Sequence, residues 1–306
     1  MKYLSTFPGQ GTQYVGMLED VDDTYLKLVS ETVSYDLNQE SNGLASSVDI
    51  QLSLLIKQVS IIDCLKKEGF ESDIVAGHSI GAFAAAVSAD VLSLEDAIKL
   101  VFHRAQSMET LYPKEFHYGM GVVVGITNQV LEKRLKEFQS SQTNQRRLFL
   151  SNINSETQVT ISGKLADIDI FFDNLKEQEA VTTKLLNVPV PSHCQLMKPV
   201  VSELEKISRD ITFHDASCTY LSNVTGLPLT SAEAIKKDLL ENVCYPVLWD
   251  AMSDIALESG IDVMIELPTG NTLTKLMKQK APHCRFIPVE QMTVEGTIYL
   301  LNKWRD

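Results

Sequence analysis

The chain has 306 residues, of which 44% are hydrophobic and 22% charged, proportions that are ordinary for a globular enzyme. Its formal net charge of −13 excludes a general nucleic-acid-binding surface, because such a surface requires a basic face. No apolar run is long enough to span a bilayer, and segment 1–7 is too soon interrupted for a signal peptide, so we expect a cytoplasmic protein that binds neither membranes nor nucleic acids.

The first predicted elements are a buried strand and a long helix. The strand covers residues 3–7 and runs into the polar, glycine-rich loop 8–13. A polar stretch of low periodicity follows at roughly 31–48. The spacing of apolar residues between Ile50 and Lys67 then predicts a helix, which Gly69 ends.

The next segment carries the pattern of a nucleophile elbow. A short apolar strand, 74–76, precedes Gly77-His78-Ser79-Ile80-Gly81, and a run of small residues follows. G-x-S-x-G at a sharp turn from strand to helix exposes the serine hydroxyl, and the helix N-terminus offers N–H groups to an oxyanion. By itself the pattern fits a structural strand–turn–helix equally well. Ser79 is therefore a candidate nucleophile that needs further support.

The middle of the chain predicts an inserted subdomain. The capping-box pattern at 93–96 begins a helix that carries Arg104 near its end. The elements that follow alternate between strand and helix: 122–124, 128–140, 158–162, 165–179 and 183–186. Their β-α-β-α-β order predicts a small ferredoxin-like α/β subdomain over 120–187. It would be inserted in a large α/β-hydrolase-like domain, residues 1–119 and 188–306, which has a parallel sheet and the nucleophile elbow.

The last third of the chain returns to the large domain. Its predicted elements are a helix over 194–208, a helix over 246–259, a strand over 263–266 and a helix over 271–279. The chain contains no internal repeat and no low-complexity segment.

The cysteines predict neither a metal site nor a redox pair. None of the five stands in a C-x-x-C arrangement, and they are widely scattered: Cys64, Cys194, Cys218, Cys244 and Cys284. An odd number of cysteines without a secretion signal is typical of a reducing compartment. We expect each to be a small buried hydrophobic residue, and we expect no metal.

Four further segments join the elbow in chain order. They are 7–13, 103–108, 190–197, and 246–249 with 266–270. With the elbow they resemble the malonyl-CoA:acyl carrier protein transacylase family, and the resemblance covers essentially the whole chain. It implies an acyltransferase that passes a malonyl group from malonyl-CoA, through a malonyl-serine intermediate, to the phosphopantetheine-type thiol of an acyl carrier protein. No bound cofactor is implied.

Within this family, one branch has the most similar residues. Ala82 follows the second elbow glycine, where fatty-acid-synthesis members usually carry Glu. The segment 266–270 reads E-L-P-T-G, where those members usually have E-V-G-P-G. Both features are similar to the malonyl transferase subunit of bacterial malonate decarboxylase, whose carrier subunit would be the acceptor. The alternatives are the same transfer in fatty-acid or polyketide synthesis, a serine hydrolase or thioesterase, and a non-catalytic subunit on this fold.

The resemblance also implies the catalytic pair. A serine hydroxyl is a poor nucleophile without a base, and imidazole titrates near neutrality, so His193 is the expected base for Ser79. In the family a backbone carbonyl near the P-V-x-W segment orients this histidine, and here that segment carries Leu248, where Gln is frequent. His78 and Leu248 are expected to be secondary site residues.

Two further roles follow from the same resemblance. The backbone N–H groups of Gln10 and Ile80 would form the oxyanion hole. Arg104 would hold the free carboxylate of malonyl, since a guanidinium can donate two parallel hydrogen bonds to it. An arginine on an amphipathic helix is otherwise usually a surface charge.

The acidic balance of the chain bears on the carrier. Acyl carrier proteins are generally acidic, so docking would require local cations on this chain. Four lysines fall near segments expected to flank the site: Lys198, Lys275, Lys278 and Lys280. Solvated helix faces explain these lysines equally well.

Overall fold

The computed structural model describes residues 1–37, 46–140 and 147–305. The strands are β1 (Tyr3–Phe7), β2 (Ile74–Gly77), β3 (Tyr118–Val124), β4 (Phe149–Ser155), β5 (Gln158–Lys164), β6 (Thr182–Leu185), β7 (Thr219–Leu221), β8 (Pro228–Leu229), β9 (Val263–Glu266) and β10 (Arg285–Pro288). The helices are α1 (Asp23–Val33), α2 (Ser47–Lys67), α3 (Gly81–Ser88), α4 (Leu94–Leu111), α5 (Asn128–Ser140), α6 (Leu165–Gln178), α7 (Lys198–Ile207), α8 (Ala232–Glu241), α9 (Trp249–Glu258), α10 (Thr272–Lys280), α11 (Val289–Met292) and α12 (Val294–Arg305).

A six-stranded sheet organises the larger part of the molecule. Its order is β10-β9-β1-β2-β7-β8, and every pair is parallel except β7 with β8. The register places Phe7 beside Gly77, and Thr6 beside Glu266. The carboxyl ends of β1, β2 and β9 therefore lie at one edge, where the loops of parallel sheets gather ligands.

Helix α2 is buried along almost its whole length, although its sequence includes polar residues. Buried polar side chains require hydrogen-bonding partners, and two of those on α2 find them in loops. Gln58 donates to the Pro8 carbonyl at 2.7 Å, and Lys57 forms an ion pair with Asp20. The helix thereby fixes the glycine-rich loop that follows β1.

A separate antiparallel sheet has the order β4-β5-β3-β6. Helices α5 and α6 contribute apolar side chains to a core of its own, with Leu131 and Phe171 buried against Ile161. In chain order this unit is β-α-β-β-α-β, the order of ferredoxin-like units. Backbone hydrogen bonds between Val247 and strand β4 join it to the larger part. The proposed limits of the insert, 120 and 187, stay a prediction.

The parallel sheet and the separate antiparallel sheet confirm the mixed α/β class, while the hydrolase-like character of the larger part stays a prediction. Within the described ranges no helix is long and apolar enough to cross a bilayer. The cytoplasmic location also stays a prediction.

Eight elements of the described ranges were absent from the sequence-based prediction: α1, β4, β7, β8, α8, β10, α11 and α12. Two of them show why. Strand β4 was missed because its buried residues Ser151, Asn152 and Asn154 are polar, which hides the strand's apolar alternation. Helix α1 was missed because Val29 is its one fully buried residue, so it shows little apolar periodicity. The polar stretch at roughly 31–48, for which no element was predicted, includes the end of α1 and the start of α2, and its positions 38–45 lie outside the described residues.

Two helix starts differ from prediction, for different physical reasons. The helix proposed at 194–208 begins with a 3₁₀ turn, and α7 starts only at Lys198, with a proline in its first turn. Proline fits the first turn of a helix but not its interior. The helix proposed at 246–259 starts only at Trp249, because the backbone of Val247 is hydrogen-bonded to strand β4 instead.

Candidate active site

The turn between β2 and α3 has the backbone of a nucleophile elbow. Ser79 has φ of +56°, a left-handed conformation that is rare for a residue with a side chain. A Cβ on Gly77 would lie 2.2 Å from the Ala82 nitrogen, and one on Gly81 would lie 2.0 Å from the Phe7 carbonyl oxygen. Both glycines of the motif are therefore required by close backbone approach.

A buried asparagine holds this turn in place. The Ser79 N–H donates to Asn223 Oδ1 at 2.9 Å, and Asn223 Nδ2 donates to the Gly77 carbonyl at 2.9 Å. Asn223 follows β7 and is fully buried. The two bonds brace the residues on either side of His78. Sequence reasoning missed Asn223, for which the turn-like segment 222–226 after a strand is the available signal.

His193 lies directly against the candidate nucleophile. Its Nε2 is 2.7 Å from Ser79 Oγ, and its Nδ1 is 2.6 Å from the Asn242 carbonyl oxygen. A carbonyl only accepts, so Nδ1 carries the proton and Nε2 is free to accept from the serine hydroxyl. Burial, with the nearby charge of Arg104 as the next cause, lowers the pKa of His193 to about 3. The imidazole is therefore neutral and able to take a proton.

The carbonyl that orients His193 belongs to Asn242, the C-cap of α8, rather than to the P-V-x-W segment itself. Leu248, expected as a secondary residue, is half-buried. Its N–H donates to the Asn223 carbonyl at 2.9 Å. Leu248 thus supports the residue that braces the elbow, through its backbone.

Arg104 is a buried cation without a carboxylate partner among the described residues. It is 1% exposed, and its Nη2 lies 3.3 Å from Ser79 Oγ. Nη1 donates to Gln51 Oε1, while Nε has no hydrogen-bonding partner there. Burial lowers its pKa to about 10, so the group stays charged at neutral pH. A buried charge left in this state is costly unless an anion binds beside it.

The two expected oxyanion donors lie on adjacent loops. Gln51 Nε2 contacts Gln10 Oε1 at 3.5 Å, and Ile80 directly precedes α3. Within the described ranges neither the Gln10 nor the Ile80 backbone N–H donates to another protein group. Both donors therefore remain available to a ligand oxygen near Ser79.

A cleft of about 230 Å³ lies beside this site, between the glycine-rich loop and the antiparallel sheet. His78 lines it, with Nε2 3.1 Å from Asn154 Oδ1 and its ring 6.0 Å from that of Trp249. Burial lowers the pKa of His78, which keeps this ring neutral too. Polar residues also line the cleft, namely Asn152, Asn154, Gln158 and Thr160. The cleft can therefore take a chain that carries hydrogen-bonding groups.

Two of the four lysines predicted near the site are engaged with other groups. Lys280 forms ion pairs with Asp250 and Asp254, both at 2.6 Å. Lys278 lies over the Phe286 ring, 5.5 Å from its centroid. A role for the lysine group in docking a carrier stays a prediction.

No group of three or more His, Cys, Asp or Glu side chains in the described ranges could hold a metal ion. All five cysteines are free thiols. Cys194, beside the histidine, is buried and donates to the Pro191 carbonyl at 3.1 Å. The prediction that every cysteine is buried holds for Cys194 and Cys244 but is wrong for Cys64, which is exposed, and for Cys218 and Cys284, which are half-buried.

Comparisons with known proteins agree with this geometry. The family model of the acyl transferase domain matches residues 29–298. The malonyl CoA-acyl carrier protein transacylase of Haemophilus influenzae is 31% identical over 291 residues, 91% of this chain and 92% of that protein. The enzyme of the same name from Bacillus subtilis is 28% identical over 98% of this chain and 97% of its own length.

Solved structures give the same result. The malonyl CoA-acyl carrier protein transacylase of Coxiella burnetii superposes with a TM-score of 0.89 at 28% identity, covering 99% of this chain and 97% of that one. A malonyl-transacylase in complex with its type II PKS acyl-carrier protein superposes with a TM-score of 0.87 at 28% identity, covering 96% and 99%.

Proposed function

The chain belongs to the acyl transferase domain family and is an acyltransferase; from that premise we propose that it transfers malonyl from malonyl-CoA to the thiol of an acyl carrier protein. The observation that carries the choice of malonyl is Arg104. It is buried, has no carboxylate partner among the described residues and lies 3.3 Å from the nucleophile's oxygen. A malonyl group on Ser79 would supply the missing carboxylate, which an acetyl group lacks.

In the first half-reaction, Ser79 Oγ attacks the thioester carbonyl while His193 Nε2 takes its proton. The Asn242 carbonyl holds the histidine in the tautomer that this transfer needs. The N–H groups of Gln10 and Ile80 stabilise the oxyanion, each by about 3–4 kcal/mol in the transition state. The oxyanion then collapses, the C–S bond breaks, and His193 returns the proton to the departing CoA thiol.

The second half-reaction reverses these steps with a different thiol. The carrier's phosphopantetheine-type thiol enters through the cleft, gives its proton to His193 and attacks the malonyl-serine ester. The polar residues that line the cleft, among them Asn152, Asn154, Gln158 and Thr160, suit the amide groups of such an arm. One thioester replaces another, so the reaction needs little driving force. Water must stay out of the ester stage, or the protein becomes a thioesterase.

Fatty-acid or polyketide synthesis is the better supported pathway. The relatives described above are named as malonyl transacylases, and one of them is bound to a type II PKS carrier. The residues that suggested malonate decarboxylase lie in the protein interior: Ala82, Leu267 and Thr269 are all fully buried. Buried side chains cannot contact a carrier directly, so the decarboxylase expectation has no support from them.

The test is a competition between two carriers, read by intact mass. The full chain is mixed with malonyl-CoA, a fatty-acid or polyketide carrier and a malonate decarboxylase carrier subunit, each with its own thiol. We expect a malonyl adduct on Ser79 and preferential loading of the first carrier, with neither in Ser79→Ala. Preferential loading of the second would restore the decarboxylase assignment. Rapid hydrolysis of malonyl-CoA without a carrier would indicate a hydrolase, and an unmodified Ser79 would overturn the transferase.

A further inference from the structure

A second buried charge lies behind the elbow, out of reach of the substrate. Asp238, in the last turn of α8, is 4% exposed. Its carboxylate accepts four hydrogen bonds from the end of β7 and the turn after it. The donors are Tyr220 Oη at 2.8 Å, Ser222 Oγ at 2.5 Å, the Asn223 N–H at 3.2 Å and the Val224 N–H at 3.0 Å.

These bonds connect Asp238 to the nucleophile through one intermediate residue. The Asp238 carboxylate holds the backbone of Asn223, and the Asn223 side chain holds the Ser79 N–H and the Gly77 carbonyl. Ser79 is in a left-handed conformation that it would not adopt readily alone. The position of Asn223 therefore helps to decide where the Ser79 hydroxyl points.

The same carboxylate is connected to the base through its own helix. Asn242 caps α8, and its N–H donates to the Asp238 carbonyl at 2.9 Å. The Asn242 carbonyl then accepts from His193 Nδ1. A carboxylate near a helix C-terminus is disfavoured by the helix dipole. An acidic residue at this buried position thus breaks a local rule, as residues that serve function often do.

We propose that Asp238 is a positioning residue: by tying the turn at Asn223 to the end of α8, it sets the distance between the Ser79 hydroxyl and the His193 imidazole. The proposal rests on the acyl transfer proposed above. Asp238 touches neither reacting group, so its loss should slow the attack by Ser79 without weakening the binding of malonyl-CoA. Arg104 and the cleft, which bind the substrate, are not bonded to Asp238.

The test compares Asp238→Asn and Tyr220→Phe with a matched control, Tyr25→Phe. Tyr25 donates to the Asp63 carboxylate at 2.8 Å on helices α1 and α2, so the control removes the same type of bond elsewhere. Each full-length variant is assayed for the single-turnover rate of Ser79 acylation and for the half-saturating concentration of malonyl-CoA. Its rate of labelling by a small fluorophosphonate and its thermal midpoint are measured as well.

A misplacement of the pair by about 1 Å costs on the order of 100-fold in rate, so we expect Asp238→Asn to slow acylation by about 10- to 100-fold. Its half-saturating concentration should stay within about twofold of the unmodified value, the pattern of a lost transition-state contribution. Fluorophosphonate labelling should fall in parallel. Tyr220→Phe removes one of the four donors and should slow both reactions by a few-fold, while Tyr25→Phe should change neither.

The inference is overturned if folded Asp238→Asn acylates Ser79 at the unmodified rate, or if its half-saturating concentration rises while that rate is kept. If Asp238→Asn does not fold, the pair Tyr220→Phe and Tyr25→Phe decides, and equal rates in these two would overturn it. Failure of the proposed function looks different. The unmodified chain would then take no malonyl, yet its fluorophosphonate labelling would still fall with Asp238→Asn.

Discussion

Two buried charges support the elbow region, Arg104 beside the Ser79 hydroxyl and Asp238 through Asn223, and their hydrogen bonding differs. Asp238 accepts four hydrogen bonds from groups of the chain itself. Arg104 has Gln51 as its one protein acceptor besides the Ser79 hydroxyl, and its Nε has none among the described residues. The fold completes the surroundings of the anion and leaves those of the cation incomplete.

This difference separates a charge that builds the site from one that recognises a ligand. A buried ion costs several kcal/mol in desolvation unless hydrogen bonds and an opposite charge offset it. At Asp238 the folded chain provides that offset. At Arg104 the desolvation cost is offset only when an anion binds. The unliganded protein therefore carries a loss of stability that is explained by the function of Arg104 in binding. Each prediction below changes one side of this comparison.

The largest expected effect is the loss of activity towards malonyl-CoA when the charge of Arg104 is removed. Arg104→Met keeps the length of the side chain but removes the charge, and truncating one partner of a buried charged pair costs about 2–5 kcal/mol. We expect kcat/KM for malonyl-CoA to fall by about 30- to 5000-fold, with little loss for acetyl-CoA. Single-turnover acylation with each thioester measures this.

The matched control for that prediction is Arg134→Met. Arg134 is also a helical arginine, but it is partly exposed and ion-paired with Glu137 and Glu179. Arg134→Met should leave the rates of acylation by malonyl-CoA and by acetyl-CoA unchanged. A ratio of malonyl to acetyl rates that is the same in Arg104→Met and in the unmodified protein would show that Arg104 does not select the substrate.

The next effect is on stability, where the two charges should act with opposite sign. An amide at position 238 has two lone pairs on its oxygen for four donors, and each stranded donor costs about 1–3 kcal/mol. Asp238→Asn should therefore lower the free energy of unfolding by about 2–6 kcal/mol. Arg104→Met relieves a desolvation cost of several kcal/mol but strands the Gln51 oxygen at about 1–3 kcal/mol, so a gain of about 1–3 kcal/mol is expected.

Urea unfolding of the full-length variants measures both changes. The slope of each transition shows whether the variant changes the native state alone. If both substitutions destabilise to the same extent, Arg104 is as well satisfied by the protein as Asp238 is, and the comparison fails.

The sequence predicted the parts of this site that carry local patterns. Ser79 and its glycines stand in a contiguous motif, and the resemblance supplied His193, Arg104 and Gln10. The supporting residues were not predicted, because their roles depend on contacts across long stretches of chain. Asn223 meets the elbow only once β7 pairs with β2, and Gln51 is a polar residue on a helix whose burial the sequence did not show.

The fold shows the same division. Strand β1 and helix α2 have the apolar spacing of their type, and both were predicted nearly at their observed limits. Polar residues of strand β4 line the cleft, so this strand lacks the usual alternation of apolar and polar residues. Local patterns therefore identified the nucleophile and the framework, whereas the residues that brace the site became visible only in three dimensions.

The third prediction concerns pH and follows from the burial of His193 and from the charge on Arg104. Burial and that charge lower the pKa of His193 from 6.5 to about 3, so the base should stay neutral well below pH 6.5. The pH profile of kcat/KM, which reports the free enzyme, should thus show no fall near 6.5 and stay flat down to about pH 5. When the malonyl carboxylate neutralises Arg104, the pKa of His193 rises, so the acidic limb of kcat should lie at higher pH than that of kcat/KM.

The same shift has a consequence for stability. The unfolded chain protonates His193 near its ordinary value, while the folded chain resists protonation until about pH 3. The unfolded state therefore binds more protons in this window, and stability should fall as the pH drops below about 6.5. In His193→Gln this part of the loss should be missing. An acidic limb of kcat/KM near 6.5 would show that neither burial nor Arg104 controls the base.

The smallest effect is expected at Leu248, whose backbone is hydrogen-bonded to Asn223. Its contribution is a backbone N–H that donates to the Asn223 carbonyl, and the carbonyl that orients His193 is that of Asn242. Leu248→Gln leaves both backbone groups in place, so we expect kcat/KM for malonyl-CoA to stay within about twofold of the unmodified value. Leu248→Met serves as the control for the change of shape. A tenfold gain in Leu248→Gln alone would mean that a side-chain amide can assist His193 directly. The backbone hydrogen bonds connected to Asp238 would then leave His193 incompletely supported, just as the protein leaves Arg104 without an anion.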